Sequence, residues 1–231
     1  MPVTPEQAQQ LREAQIGIRT LVERDLQAYL STLDLSNPQI VRSRLLAFVP
    51  TLVQTYGEMA AGIAADWYQA VREAHGLPGF FRPVVPGQSF WDEQAAAVEG
   101  TIRRVTETEV DPVTALTSKV GKYVLSGSRE TVRLSTFADP RASGWQRVTR
   151  AGSCRFCRML AGRGAVYKET TAHFASHGKC NCAAVPSWDA NAPEVDVRLY
   201  EASKRTTGMR PEDRDAHNAA IREALDIYVP E

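Results

Sequence analysis

The sequence predicts an α+β fold in which a long helical N-terminal region precedes a small α/β domain with short strands and C-terminal helices. Apolar residues recur at helical spacing through most of the first 140 residues. After Gly144 the pattern changes to short stretches in which apolar and polar residues alternate, as they do in strands. All four cysteines of the chain then fall within one short stretch. We therefore expect a helical region over residues 1–140, a Cys/His domain over 141–190 and a C-terminal helical segment over 191–231.

The first region is predicted to contain four helices, whose apolar stripes indicate helix packing rather than a cofactor site. Thr4, Pro5 and Gln7 form a capping-box sequence with Pro at the first helical position, so a helix begins there. Pro50 lies inside the second helix and should kink or split it. The four predicted helices cover residues 4–33, 37–76, 89–109 and 111–137.

The second region is predicted to consist of short elements. Strands are expected at WQRVTRAG, AVYKE and CAAVPSW, with one helical turn at CRMLAG. Such short elements are typical of a small domain that a metal ion supports. Helical patterns return at residues 194–203 and 211–229.

Charge is balanced over the whole chain but concentrated in one part of it. The 231 residues include 27 basic and 27 acidic side chains, so the net charge predicts no general attraction to nucleic acid or to an anionic membrane. Residues 119–168, here called the basic segment, nevertheless carry eleven Lys and Arg side chains against Glu130 and Asp139. The first residues lack a signal-peptide pattern, and no apolar run is long enough to span a membrane. We expect a cytosolic protein with no membrane partner.

The cysteines have the spacing of zinc ligands. Cys154 and Cys157 can supply half of a tetrahedral zinc site from one tight turn. A second turn, with His177, Cys180 and Cys182, offers three further donors. We expect a structural Zn²⁺ ion, with Cys154, Cys157 and His177 as ligands. Cys180 and Cys182 compete for the fourth position.

The same sequence allows other arrangements of these side chains. His173 is a further candidate ligand. A disulfide network would need cross-pairing between the two cysteine pairs, because Cys180 and Cys182 are too close in sequence to bond easily, and a reducing cytosol disfavours it. Alternatively, the cysteines are small buried apolar side chains with no bond among them.

No catalytic site is predicted. A filled structural zinc site leaves no open position for water, and neither Glu169 nor Asp189 is a clear general base beside it. The CxxC sequence also lacks the βαβ context of a thioredoxin-type redox motif.

The stretch from Gly144 to Trp188 contains a recognisable pattern: C-x-x-C-x-x-L-x-G, a hydrophobic-aromatic pair, H-x-x-C-x-C and a short strand ending in Pro. This pattern resembles the C-terminal motif of the phage Mu F-like minor head proteins. With its long helical N-terminal half, the chain looks like the minor capsid proteins of actinobacterial siphophages. Gly178 departs from the pattern, since relatives commonly have Pro after the histidine. The matching positions are Cys154, Cys157, Leu160, Gly162, Val166, Tyr167, His177, Cys180, Cys182 and Pro186.

The resemblance implies a structural role in a tailed phage. It implies a low-copy virion protein, made in the host cytoplasm and associated with the portal or the inner capsid surface. Its partners would be the portal or the major capsid protein, and its role would be in head assembly and in DNA packaging or delivery. The basic segment adds packaged DNA as an expected partner.

Two alternative functions compete with this interpretation. A zinc-containing nucleic-acid-binding module would use basic and aromatic side chains around the metal. A zinc-stapled nuclease or transferase would need a second cluster of histidines or acids, and the spare histidines are widely separated in sequence. The side chains that a nucleic-acid module would use are Arg155, Phe156, Arg158, Arg163, Tyr167 and Lys179.

Overall fold

The computed structural model describes residues 2–34, 36–107, 112–150, 152–165, 167–168, 174, 176, 180–191 and 208–228. Within them the chain is mostly helical, with one two-stranded antiparallel sheet, which confirms the predicted α+β class. No helix in this part of the chain is both long and apolar enough to cross a membrane. The elements in chain order are α1 (Pro5–Leu30), α2 (Pro38–Ala74), α3 (Gln88–Glu107), α4 (Pro112–Ala138), β1 (Gly144–Val148), α5 (Arg155–Gly162), β2 (Ala183–Ser187) and α6 (Pro211–Tyr228).

Local signals fix the starts of α1 and α2 as predicted. The Thr4 hydroxyl accepts from the Gln7 backbone amide at 3.2 Å, and the Gln7 side chain accepts from the Thr4 amide at 2.9 Å. This reciprocal pair satisfies two amides that the first turn of α1 leaves without helical partners. Asn37 caps α2 with a single bond, because its side chain accepts from the Ile40 amide. The helix predicted at residues 194–203 lies outside the described residues.

The sequence predicts that Pro50 kinks or splits the second helix, and the split does not occur. α2 continues through this residue from Pro38 to Ala74. Pro50 cannot donate a backbone hydrogen bond, which weakens the helix at that turn. The neighbouring Val49 and Val53 are 0% and 1% exposed in the core of the helical bundle, so packing holds the turns on both sides in register.

α4 is the central element of the molecule, because it contacts the other three long helices and both strands. It crosses α2 closely at two glycines. A Cβ added to Gly127 would lie 2.4 Å from the Gly57 carbonyl oxygen, and one added to Gly57 would lie 2.5 Å from the Trp91 ring. The crossing therefore requires the absence of both side chains, while Trp91 of α3 covers it.

β1 and β2 pair in the register Gly144↔Ser187 through Val148↔Ala183. All five residues of β2 are buried, because the sheet packs on α4 and shares a core with the first residues of α1 and the end of α2. The strand predicted at AVYKE is reduced to an isolated bridge between Tyr167 and Trp145, with Val166 and Glu169 outside the described residues.

The turn between α4 and β1 is held by Asp139, whose side chain is fully buried. Its Oδ2 atom accepts from Arg72 Nε at 3.1 Å, from the Tyr68 hydroxyl at 3.2 Å and from Trp188 Nε1 at 3.1 Å. The Arg141 backbone amide donates to Oδ1 at 3.0 Å. One carboxylate therefore joins α2, the turn and the residue that follows β2.

The partners of Asp139 are themselves fixed. Arg72 also donates to the backbone carbonyls of Pro78 at 3.1 Å and Gly79 at 2.8 Å, so it anchors the connection after α2. Burial, and then the negative charge of Asp139, raise the pKa of the Tyr68 hydroxyl above its ordinary value, so Tyr68 stays a donor.

We expect Asp139→Ala to destabilise the protein by about 3–5 kcal/mol, since removing one partner leaves the Arg72 guanidinium buried without a counter-charge. Chemical denaturation followed by circular dichroism measures the change. Asp213→Ala, which removes an exposed ion pair between Arg210 and the first turn of α6, is the control and should cost at most about 1 kcal/mol. An equal effect of the two substitutions would contradict the role assigned to Asp139.

We expect Gly127→Ala to destabilise the protein by about 1–3 kcal/mol, because the added methyl group meets the Gly57 backbone, which cannot rotate away. Gly62→Ala on α2 is the matched control. A Cβ there meets nothing within 4 Å, so helix propensity alone should stabilise the protein by up to about 1 kcal/mol. Thermal unfolding temperatures should therefore shift in opposite directions, and a stabilised Gly127→Ala variant would exclude the close crossing.

Candidate metal centre

Three cysteines converge at the end of the sheet. Cys182 directly precedes β2, and Cys180 lies two residues before it. Cys157 is in the first turn of α5, where the Cys154 side chain caps the helix by accepting from the Cys157 backbone amide at 3.5 Å. The short helix therefore presents Cys157 toward the turn that leads into β2.

The three thiols form a compact, buried cluster, here called the thiol cluster. The Sγ atoms of Cys157, Cys180 and Cys182 all lie within 4.8 Å of one another. Cys157 and Cys180 are in direct hydrogen-bonding contact at 3.3 Å. Their exposed fractions are 1%, 4% and 1%, so water has little access to any of them.

Two buried arginines flank the thiol cluster. Arg129 of α4 donates from Nε to the Cys182 carbonyl at 3.0 Å and from Nη2 to the Cys180 carbonyl at 2.8 Å. Arg147 of β1 places Nη1 4.0 Å from Cys157 Sγ. Two guanidinium groups beside three thiols favour a negatively charged cluster.

Aromatic rings complete the wall of the site. Phe174 packs on the thiol cluster, with the Arg147 guanidinium 3.7 Å and the Arg129 guanidinium 4.8 Å from its ring centroid. Trp145 stacks between Phe174 and Tyr167, with centroid separations of 5.6 Å and 4.1 Å. These rings keep the arginines and thiols in a poorly hydrated environment, in which charge interactions are strong.

Electrostatics within the cluster favour a thiolate at Cys180. Hydrogen bonds from Cys157 and Cys182, assisted by the charge of Arg129, lower the pKa of the Cys180 thiol. The bond to Cys180, together with burial, raises the pKa of Cys157. Burial lowers the pKa of Arg129 to about 10, and the neighbouring thiols oppose this shift, so Arg129 stays charged at neutral pH.

This arrangement fits a thiophilic metal ion. Sulfur atoms around a tetrahedral zinc ion are about 3.8 Å apart, given Zn–S bonds of about 2.3 Å. The Sγ atoms of Cys157 and Cys180 are 3.3 Å apart, somewhat closer than this value, and no pair of the three is more than 4.8 Å apart. Small side-chain adjustments would therefore bring the three sulfur atoms to the spacing of zinc ligands. A divalent cation would also allow all three thiols to be deprotonated together, which mutual repulsion otherwise opposes. Cys157, Cys180 and Cys182 can therefore hold a metal ion.

The structure brings together three of the five residues predicted as ligands. Cys180 and Cys182, predicted to compete for one position, both belong to the thiol cluster. Cys154 is exposed and is not a member of the cluster among the described residues, so its role as a ligand stays a prediction. His177 and the further candidate His173 lie outside the described residues. None of the four cysteines is in a disulfide.

The basic segment is only partly at the surface. Four of its eleven cationic side chains are buried, and one of them, Arg133, is paired with Glu130 at 2.6 Å. Its expected contact with DNA can therefore involve only the remaining cations. The buried ones are Arg129, Arg133, Arg147 and Arg163.

Sequence reasoning missed the role of Arg129 in the site. One signal was present, because Arg129 continues the buried side of α4 that includes Leu125 and Val132 at helical spacing. An arginine on an apolar stripe usually marks a buried partner.

We expect the wild-type protein, purified under reducing conditions without added metal, to carry about one metal ion per chain. Cys180→Ser should abolish this, because a buried hydroxyl is a poor ligand for a thiophilic ion. Elemental mass spectrometry gives the metal content directly.

Cys154→Ser serves as the comparison, since serine preserves the helix cap. Metal loss in this variant as well would confirm Cys154 as a further ligand. A metal-free wild-type protein whose four thiols all react with a thiol reagent would contradict the metal centre.

The VG15 protein family model matches residues 2–204. No match was found among curated proteins or among solved structures. The matched stretch includes α1 to α5, both strands and the complete thiol cluster. The chain therefore belongs to the VG15 protein family, a family of bacteriophage proteins.

Proposed function

We propose that this chain is a structural minor capsid protein of a tailed bacteriophage, associated with the portal or the inner capsid surface. It acts in head assembly and in DNA packaging or delivery, and it has no enzymatic activity. The observation that carries the proposal is the family match over residues 2–204. The resemblance of residues 144–188 to the Mu F-like head-protein motif supports the finer assignment.

The proposal includes a structural Zn²⁺ ion at the thiol cluster. Zinc is the ion that buried cysteine sets most commonly hold in small cytosolic domains, and it supplies a cross-link that a short sheet lacks. Cys157 on α5 and the two cysteines before β2 belong to segments that are distant in sequence. A metal ion that joined them would fix α5 against the sheet, so this region would not need a large apolar core.

The proposed partners are the portal, the major capsid protein and packaged DNA. Contact with DNA would use the exposed cations of the basic segment, such as Arg141, Arg150, Arg158 and Lys168. The burial of four other cations of this segment leaves fewer side chains for a nucleic-acid-binding module. A role as a head component that also contacts DNA is therefore favoured over such a module.

We expect the protein in purified, DNA-filled particles of the phage that encodes it, at low copy number relative to the major capsid protein. Quantitative mass spectrometry of gradient-purified particles measures this ratio. A replication protein of the same phage, which should be absent, is the negative control.

Deletion of the gene should reduce the yield of infectious particles, and wild-type protein supplied in trans should restore it. Absence of the protein from both particles and portal-containing assembly intermediates, while it is abundant in infected cells, would refute the head assignment.

A further inference from the structure

Arg129 has an unusual environment for a buried cation. Its side chain is 2% exposed, and its donors reach the carbonyls of Cys180 and Cys182 and the Ser176 hydroxyl, the last at 3.0 Å. No carboxylate among the described residues forms a salt bridge with it. A buried charge without a counter-charge is costly, and the sulfur atoms of the thiol cluster are the neighbouring groups that can become anions.

The geometry also constrains the backbone of the cluster. A guanidinium group is planar and presents its donors in a fixed fork. Because Arg129 binds the carbonyls of both Cys180 and Cys182, it sets the orientation of two peptide groups in the turn that carries two of the three thiols. The fork starts from α4, so the turn is positioned by the helical bundle.

We propose that Arg129 is a positioning residue for the metal centre: it holds the turn from Cys180 to Cys182 in its metal-binding conformation and offsets the charge of the metal-bound thiolates. This inference rests on the proposed metal site and extends it to a residue of the bundle. The class of ligand is a divalent thiophilic cation.

Arg19 of α1 provides a natural comparison. It contacts the same turn, donating to the Asn181 side chain at 2.8 Å, but it already has a carboxylate partner in Glu23 at 2.6 Å. Arg19 thus touches the turn through a side chain and is neutralised within its own helix. In the part of the chain that the structure describes, Arg129 binds the backbone of the turn and no carboxylate forms a salt bridge with it.

The test measures metal affinity in the full chain. Zn²⁺ affinity is determined by competition with a chelator of known affinity, and Co²⁺ is used separately to record sulfur-to-metal charge-transfer absorption. Arg129→Met should weaken Zn²⁺ binding by about 10–100-fold, the usual effect of losing an outer-shell partner of a metal ligand, and alter the Co²⁺ spectrum. Arg129→Lys keeps the charge but not the fork, so its affinity should fall between those of Arg129→Met and the wild type. Arg19→Met should bind both metals as the wild type does.

The possible outcomes separate the two proposals. A folded Arg129→Met variant with wild-type Zn²⁺ affinity and an unchanged Co²⁺ spectrum would overturn the role of Arg129 while leaving the metal site intact. A wild-type protein that binds neither metal would overturn the metal site itself. If Arg129→Met does not fold, Arg129→Lys decides the matter: wild-type affinity refutes the positioning role, and reduced affinity with an intact circular dichroism spectrum supports it.

Discussion

Buried charge is the constraint on which this structure depends. α4 carries Arg129 into the interior, and Asp139 follows directly after its last residue. Asp139 finds its partners on α2 and at Trp188, while Arg129 finds its acceptors in the turn before β2. Because these partners come from distant parts of the chain, the contacts of Arg129 and Asp139 form only when the turn and the residue after β2 are in place. The polar contacts of Arg129 and Asp139 thereby join the helical bundle to the sheet.

Apolar packing reinforces this connection. One continuous core contains Val3, Tyr68 and Val132 from the helical region together with Trp145 and Val185 from the sheet. A second core is confined to the four long helices. The division predicted at residue 140 falls in the turn that Asp139 holds, and the first core extends across it. The thiol cluster lies beside this shared core rather than at the far end of an independent module, since Phe174 packs on both.

The parts of the fold that were predictable from sequence are those with local causes. Helix starts at Thr4 and Asn37 follow from side chains that cap the nearest amides, and both capping bonds are present. The pairing of β1 with β2 was not deducible, since it joins residues about forty positions apart in sequence. The strand expected at AVYKE contributes one bridge, because alternation alone does not supply a partner edge.

The same distinction applies to the site. The five candidate ligands that the spacing predicted include the three thiols that converge, because metal ligands come in short, regular patterns. Spacing could not show that Cys180 and Cys182 both face Cys157, since that depends on how the turn is held. In the sequence, Arg129 and Arg147 belong to the basic segment that was expected to contact DNA. In the structure both are buried beside the thiol cluster. The function of an arginine is decided by its partners, which sequence does not reveal.

The pairing of Pro2 with Ser187 has a consequence for synthesis. Pro2 bridges to a residue that is translated about 185 residues later. α1 can form early from its local cap, but the bridge at Pro2 must wait until β2 has left the ribosome. This bridge therefore forms only after α1 to α5 have all been synthesised, because they lie between its two residues.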